Sequence, residues 1–137
     1  MPGKNLEKVR WIEFTSNIDK RGILTAAESG REIPFEIKRI FYVYDIATDR
    51  GGHAHRETDQ VVVAVCGSFD LSISDGTVKK SYKMNDPKKG LYIPRMLFIE
   101  IKNCSPDAVC LVISSTHYDI KKSIRNWEGY LEAVDKK

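Results

Sequence analysis

Short β-type runs, each closed by turn residues, fill most of this chain and restrict its choice of fold. Residues 9–14 form the first, and 39–46 (RIFYVYDI) is dense in the β-branched and aromatic side chains that suit a pleated surface. Residues 60–66 (QVVVAVC) stop at Gly67-Ser68, and 69–74 alternate up to Asp75-Gly76, a strong hairpin signal. Runs at 78–84, 91–94 and 97–102 follow, with the turn-rich NDPKKG after the first of these, and 108–115 is an apolar run suited to burial on both faces. About eight or nine strands at short, regular spacing predict an all-β sandwich or barrel spanning roughly 9–116. After Tyr118 the period changes: Ile120, Ile124, Trp127, Leu131 and Val134 recur at helical spacing behind Asp119, a plausible N-cap. This predicts one helix or two short ones over roughly 119–135, packed on the barrel, with Lys136 and Lys137 as a frayed tail.

Composition narrows the setting. The 137 residues suit one domain, and with 42% hydrophobic residues a real core is expected. No apolar run approaches the ~18 residues of a membrane span, and MPGKNLEKVRW has no apolar stretch of the signal-peptide kind. Lys and Arg total 22 against 19 Asp and Glu; the net charge of +3 is too small to argue for nucleic acid but favours a small anionic ligand. The three cysteines contain no CxxC pair, which speaks against a disulfide scaffold or a cysteine zinc site and fits a reducing cytoplasm. Cys66 and Cys110, inside apolar runs, are expected in the core, and Trp11 and Trp127 are read as packing residues.

The chemically informative segment is RGGHAHR, residues 50–56. Side chains two apart on a strand share a face, so His53 and His55 enter one space, and the preceding glycines allow a sharp turn or close backbone approach. Such a pair is a metal half-site, an acid/base pair or a surface coincidence. Arg50 and Arg56 add positive charge that favours the neutral base form of a nearby imidazole.

Further spacing adds to this. Gln60 and Gly67 follow His55 at the intervals of the first cupin motif, and Gly90, Pro94, Ile99 and Asn103 resemble the second. The resemblance implies a jelly-roll barrel, a fold that hosts many chemistries. A metal-binding cupin would carry glutamate where this chain has Gln60 and a third histidine where it has Ile99. A neutral amide and a hydrocarbon leave two ligands, too few for a catalytic transition metal. No metal or other cofactor is therefore expected, and the two histidines are free for acid/base work.

The strings IPFEIKRIFYVYDI, RGGHAHRETDQ, GSFDLSISDG, KGLYIPRM and SPDAVCLVISSTHYD resemble the sugar nucleotide 3,4-ketoisomerases, over about residues 14–131. That resemblance implies a metal-free homodimer that moves the keto group of dTDP-4-keto-6-deoxyglucose from C4 to C3, ahead of aminotransfer at C3. The family's usual tryptophan is Phe98 here and the polar residue after it is Ile99, so the C4 epimer of the product is left open.

The reaction needs a base for the C3 proton, stabilisation of an enediolate and an acid for C4, and histidine suits both proton steps. His53 and His55 are assigned to proton transfer, with His53, on the resemblance, as the base at C3. Tyr42 or Tyr44, on one face of the preceding run, is a candidate oxyanion donor or a core-filling aromatic, with Tyr42 favoured as catalytic and Tyr44 as substrate-binding. Arg50 and Arg39 are candidates for the diphosphate, whose oxygens match a guanidinium fork. Gln60 is expected to bind a sugar hydroxyl or a histidine, and Arg21, in KRGIL, to reach the site. Glu100 and Arg125 fit a structural ion pair as well as a ligand contact, and His117 lacks a partner in sequence. The alternatives are a dTDP-sugar 3,5-epimerase-like enzyme, a metal-dependent cupin and a non-catalytic sugar-binding cupin.

Overall fold

Val62 and Ala64 stand beside Val112 and Cys110 in an antiparallel ladder, all four facing inward, while Val61, Val63 and Ile113 of the same two strands face out. That alternation organises the molecule. In the computed structural model, which describes residues 5–135, one sheet contains β1 (Arg10–Glu13), β4 (Arg39–Val43), β6 (Gln60–Cys66), β9 (Lys89–Ile93) and β11 (Val109–Ser114), in the order β1-β9-β6-β11-β4. The facing sheet contains β5 (Arg50–His55), β7 (Phe69–Ser74), β8 (Lys79–Met84), β10 (Phe98–Lys102) and the two-residue β12 (Ser123–Ile124), in the order β12-β5-β10-β7-β8. Their strands pair antiparallel throughout, and their inner faces close on a core that includes Phe69, Leu71, Ile73, Leu91, Ile93 and Cys110. This is the expected all-β jelly roll with a C-terminal helix.

Both sheets are also covered outside. Ile33, Phe35 and Ile37, in the connection before β4, pack on Val61, Val63 and Ile113, so β11 is covered on both faces as its apolar run implies. Helix α1 (Trp127–Asp135) lies against the outside of the second sheet, with Tyr130 and Val134 on Ala54 and Phe98. The Tyr130 hydroxyl lies 2.8 Å from the Met96 carbonyl and 3.1 Å from that of Ser74, pinning the helix to the loop before β10 and to the end of β7. Burial raises its pKa and keeps it protonated.

Three expectations need revision. The C-terminal segment is not continuously helical: a 3-10 turn at Ile120–Lys122, capped by Asp119 through a 3.0 Å bond from the Lys121 N–H, is followed by extended backbone at β12. Residues 123 and 124 are extended because they pair with the open edge of β5. The helix starts afresh after Asn126, whose side-chain oxygen accepts from the Gly129 N–H at 2.6 Å. Cys66 is exposed, with its thiol toward Asp107; it is in phase with inward Val62 and Ala64, but it ends β6, beyond a register shift against β11 and outside the core that holds Cys110. Finally, β2 (Thr15–Asp19) and β3 (Gly22–Ala26) form a hairpin that hydrophobic patterning did not mark, because Ile18, Ile23 and Leu24 are exposed. The tail Lys136–Lys137 lies outside the described residues. Among the described residues no helix is long and apolar enough to cross a membrane.

Tyr130→Phe removes a buried donor and leaves two carbonyls short of a partner. We expect a loss of about 1–2 kcal/mol in urea unfolding, with the ring packing unchanged.

Candidate active site

The site begins at a glycine pair. Gly51 and Gly52 have φ of +97° and +77°, a region that favours glycine. A Cβ on Gly51 would lie 2.9 Å from both the Glu100 Cα and the Ile99 carbonyl oxygen, so only glycine lets β5 approach β10 this closely. Across the two strands His53 pairs with Ile99 and Gly51 with Glu100, a register shift that marks a bulge. Beyond the bulge β5 alternates: Ala54 is buried under α1, while His53 and His55 turn to the opposite, inner face. Their ring centroids are 5.1 Å apart, edge to face.

Each imidazole faces a different space. His53 lines a cavity inside the barrel with Arg50, Ile99, Leu71 and Cys110. His55 lines a cleft nearer the surface with Arg39, Ser114, Tyr118 and Ser123. Gln60, only 4% exposed, borders both. The Arg39 guanidinium lies over the rings of Phe41 and Tyr118, at 4.3 and 4.9 Å from their centroids, which fixes one cation beside His55.

The ring nitrogens are held differently. The Gly51 backbone acts on the His53 ring in the sense of a carbonyl beside a ring nitrogen, while His55 Nδ1 is 3.4 Å from Ser123 Oγ. His55 Nε2 is buried and has no hydrogen-bond partner among the described residues. Burial, then the charges of Arg125 and Arg50, lower the His53 pKa, and the bond to Gly51 opposes them in part. Burial, then His53, Arg39 and Arg125, push His55 down to about 4. Both rings are therefore neutral at physiological pH, and neutral imidazoles with an unpaired ring nitrogen are able to accept or donate protons.

Of the anticipated residues, the fold gathers His53, His55, Arg50, Arg39 and Gln60. It does not gather Tyr42, Tyr44 or Arg21. In β4 the inward positions are Phe41 and Val43, in register with Val112 and Cys110, so Tyr42 points outward and stacks on Tyr44 at 5.9 Å. The shared face of the two tyrosines is legible in sequence, but which face it is depends on pairing with β11. Arg21 sits on the β2–β3 turn, paired with Asp19 at 2.7 Å and lining neither space around the histidines. Glu100 contacts Lys102 at 3.8 Å rather than Arg125. Exposed Arg125, which sequence reasoning set aside, is close enough to both histidines for its charge to affect them. Ser123 was missed altogether, since it falls where a helical period was read. Ile99, opposite His53, offers no lone pair, and among the described residues no three His, Cys, Asp or Glu side chains come together.

A family described as "FdtA: WxcM-like, C-terminal" matches residues 7–135. The TDP-4-oxo-6-deoxy-alpha-D-glucose-3,4-oxoisomerase of Aneurinibacillus thermoaerophilus is 35% identical over 127 residues, 91% of each chain. A 3,4-ketoisomerase from Helicobacter canadensis superposes with a TM-score of 0.90 at 39% identity, covering 93% of this chain and 97% of the other. The 3,4-ketoisomerase QdtA from Thermoanaerobacterium thermosaccharolyticum, a histidine-to-asparagine mutant in complex with TDP-4-keto-6-deoxyglucose, superposes at 0.90 with 33% identity, covering 94% and 95%.

The depressed histidines give a pH prediction. Between the ordinary histidine value of about 6.5 and the native value of about 4, the unfolded chain binds a proton at His55 that the native chain refuses. Native stability should thus be intact above pH 6.5 and fall as the pH drops toward 4, and His55→Gln should reduce that slope. Ring resonances of His55 should titrate near 4 by NMR, and those of His53 below 6.5.

Proposed function

The chain belongs to the FdtA family, and we propose that it is a 3,4-ketoisomerase acting on dTDP-4-keto-6-deoxy-D-glucose. The observation that carries this reading is the inward pair His53 and His55, 5.1 Å apart, neutral and lacking a third ligand. The C4 carbonyl acidifies the proton on C3. His53, whose ring N–H is committed to Gly51, has a lone pair for that proton and forms the enediolate. Returning the proton to C4 leaves the carbonyl on C3, with no net change in the protein and no redox partner. A 3-keto sugar is the substrate an aminotransferase needs to make a 3-amino-3,6-dideoxy sugar.

Arg50 beside His53 and Arg39 beside His55 are cations for the substrate's diphosphate, and Gln60 can hold a sugar hydroxyl or an imidazole. A neutral carboxamide at Gln60 and a hydrocarbon at Ile99 favour metal-independent turnover. Three free cysteines fit action in the cytoplasm. In D₂O, NMR should show the keto signal moving from C4 to C3 with deuterium entering from solvent, in the presence of chelator. His53→Asn should lower turnover by at least about 100-fold while dTDP still binds. A carbonyl that stays at C4 with inversion at C5 would identify an epimerase instead.

We assign the working form as a homodimer. One edge of the first sheet is β4, where Ile40 and Tyr42, with Tyr44 just beyond, are each more than half exposed. Beside it a groove is lined by Ile23, Ile40, Val65 and Leu111, and the β2–β3 hairpin exposes Ile18 and Leu24. An apolar surface continuous over an unpaired strand edge and a hairpin of the same chain suits a second copy. Light scattering should give twice the 15.6 kDa chain mass, and Ile40→Asp should shift it toward monomer with the strand signal in circular dichroism retained. A wild-type monomer at micromolar concentration would exclude the interface.

A further inference from the structure

Two imidazoles that share a face are held by different partners. The Gly51 backbone raises the His53 pKa, as a carbonyl beside one ring nitrogen does, which leaves the other nitrogen to accept. His55 has Ser123 Oγ 3.4 Å from Nδ1 and a buried Nε2 with no partner among the described residues. Ser123 reaches it because β12 pairs with β5, Ser123 opposite His55 and Ile124 opposite Ala54. Ile124 points into the layer under α1, so Ser123 points the other way, toward the imidazole.

Enediolate chemistry needs a donor as well as a base. Because His53 is committed as acceptor, the donor has to be His55, and Nε2 is its free nitrogen. A neutral imidazole carries one N–H, so Nε2–H requires Nδ1 to accept, and Ser123 is the hydroxyl placed to donate to it. We infer that Ser123 is a positioning residue that holds His55 in the Nε2–H tautomer, making His55 a neutral hydrogen-bond donor to the enediolate oxygens while His53 alone moves the carbon-bound proton.

This deepens the ketoisomerase reading and rests on it. The steps balance. His53 takes the proton from C3 and becomes imidazolium, and the electron pair passes through the enediolate to the oxygen on C4. His55 Nε2–H donates to that oxygen, gives it the proton and takes the hydroxyl proton from the oxygen on C3. His53 then returns its proton to C4, and both imidazoles end neutral. A neutral donor suits these surroundings: His53 on β5, Arg39 on β4, Arg125 after β12, and His117, Asp119 and Lys122 around the 3-10 turn. Arg39 and Arg125 oppose an imidazolium at His55, Lys122 is paired with Glu57 at 2.8 Å, and Asp119 caps the backbone N–H of Lys121.

The tautomer can be read without substrate, from ¹⁵N shifts of the ring in two-bond ¹⁵N–¹H spectra. The wild type should show Nε2 protonated and Nδ1 accepting at His55. Ser123→Ala should give a mixture of tautomers and lower kcat by about tenfold or more with little change in KM, as expected when an oxyanion donor is misplaced. Ser123→Thr should restore both tautomer and rate, and it guards against a folding defect in the alanine variant. A wild-type Nδ1–H tautomer would overturn the inference, as would a Ser123→Ala variant that loses activity with its tautomer unmoved or keeps wild-type kcat. Failure of the wild type to move the keto group would instead sink the ketoisomerase reading, and the spectra would still show what Ser123 does to His55.

Discussion

The contact between Gly51 and the backbone of β10 is the constraint on which the site depends. A side chain there would collide with the Glu100 Cα and the Ile99 carbonyl, so the bulge exists only because the chain has glycine at that point. The bulge sets the phase of the rest of β5: one residue of slip would turn His53 and His55 under the helix and Ala54 into the barrel. It also places the Gly51 backbone where it raises the His53 pKa. One glycine therefore controls both where the histidines are and what one of their ring nitrogens does.

Electrostatics then follows from placement. Two imidazoles in a half-buried space, with Arg39, Arg50 and Arg125 near them, resist protonation, burial being the largest cause and the cations adding to it. The same cations favour an anionic substrate. One arrangement thus keeps the rings neutral and presents positive charge to an anionic ligand. The outer layers support this: α1 and its Tyr130 anchor cover the back of β5 and β10, so the face that carries the histidines is backed by packed side chains.

Much of this was legible in the chain. Strands β6 and β7 start and end where their turn residues say, because Gly67-Ser68 and Asp75-Gly76 cannot continue a ladder. The period-2 placement of His53 and His55, the missing ligand at Ile99 and the likeness to a ketoisomerase family could all be read locally. Tyr42 and Tyr44 mark the limit. Their alternation said that they shared a face, but the core side of β4 is decided by Phe41 meeting Val112 across the sheet, a pairing between residues 71 positions apart. Cys66 marks a different limit: it is in phase with buried Val62 and Ala64 but sits at the end of a strand whose exposure changes as it leaves the barrel.

The sequence by itself determined most of the barrel strands, the jelly roll, the inward histidine pair and the chemistry those residue types can perform. Each of these depends on neighbours within a few positions, or on a motif spacing that the chain carries in full. Tertiary structure decided which aromatics face the cavity, which arginines act on the imidazoles, and how His55 is held. Ser123 and Arg125 lie in a stretch whose local period is helical, yet its backbone is extended because the open edge of β5 needs hydrogen-bond partners. That demand comes from a strand 68 residues away, since Ser123 meets His55 only when β12 pairs with β5, and no local pattern records it.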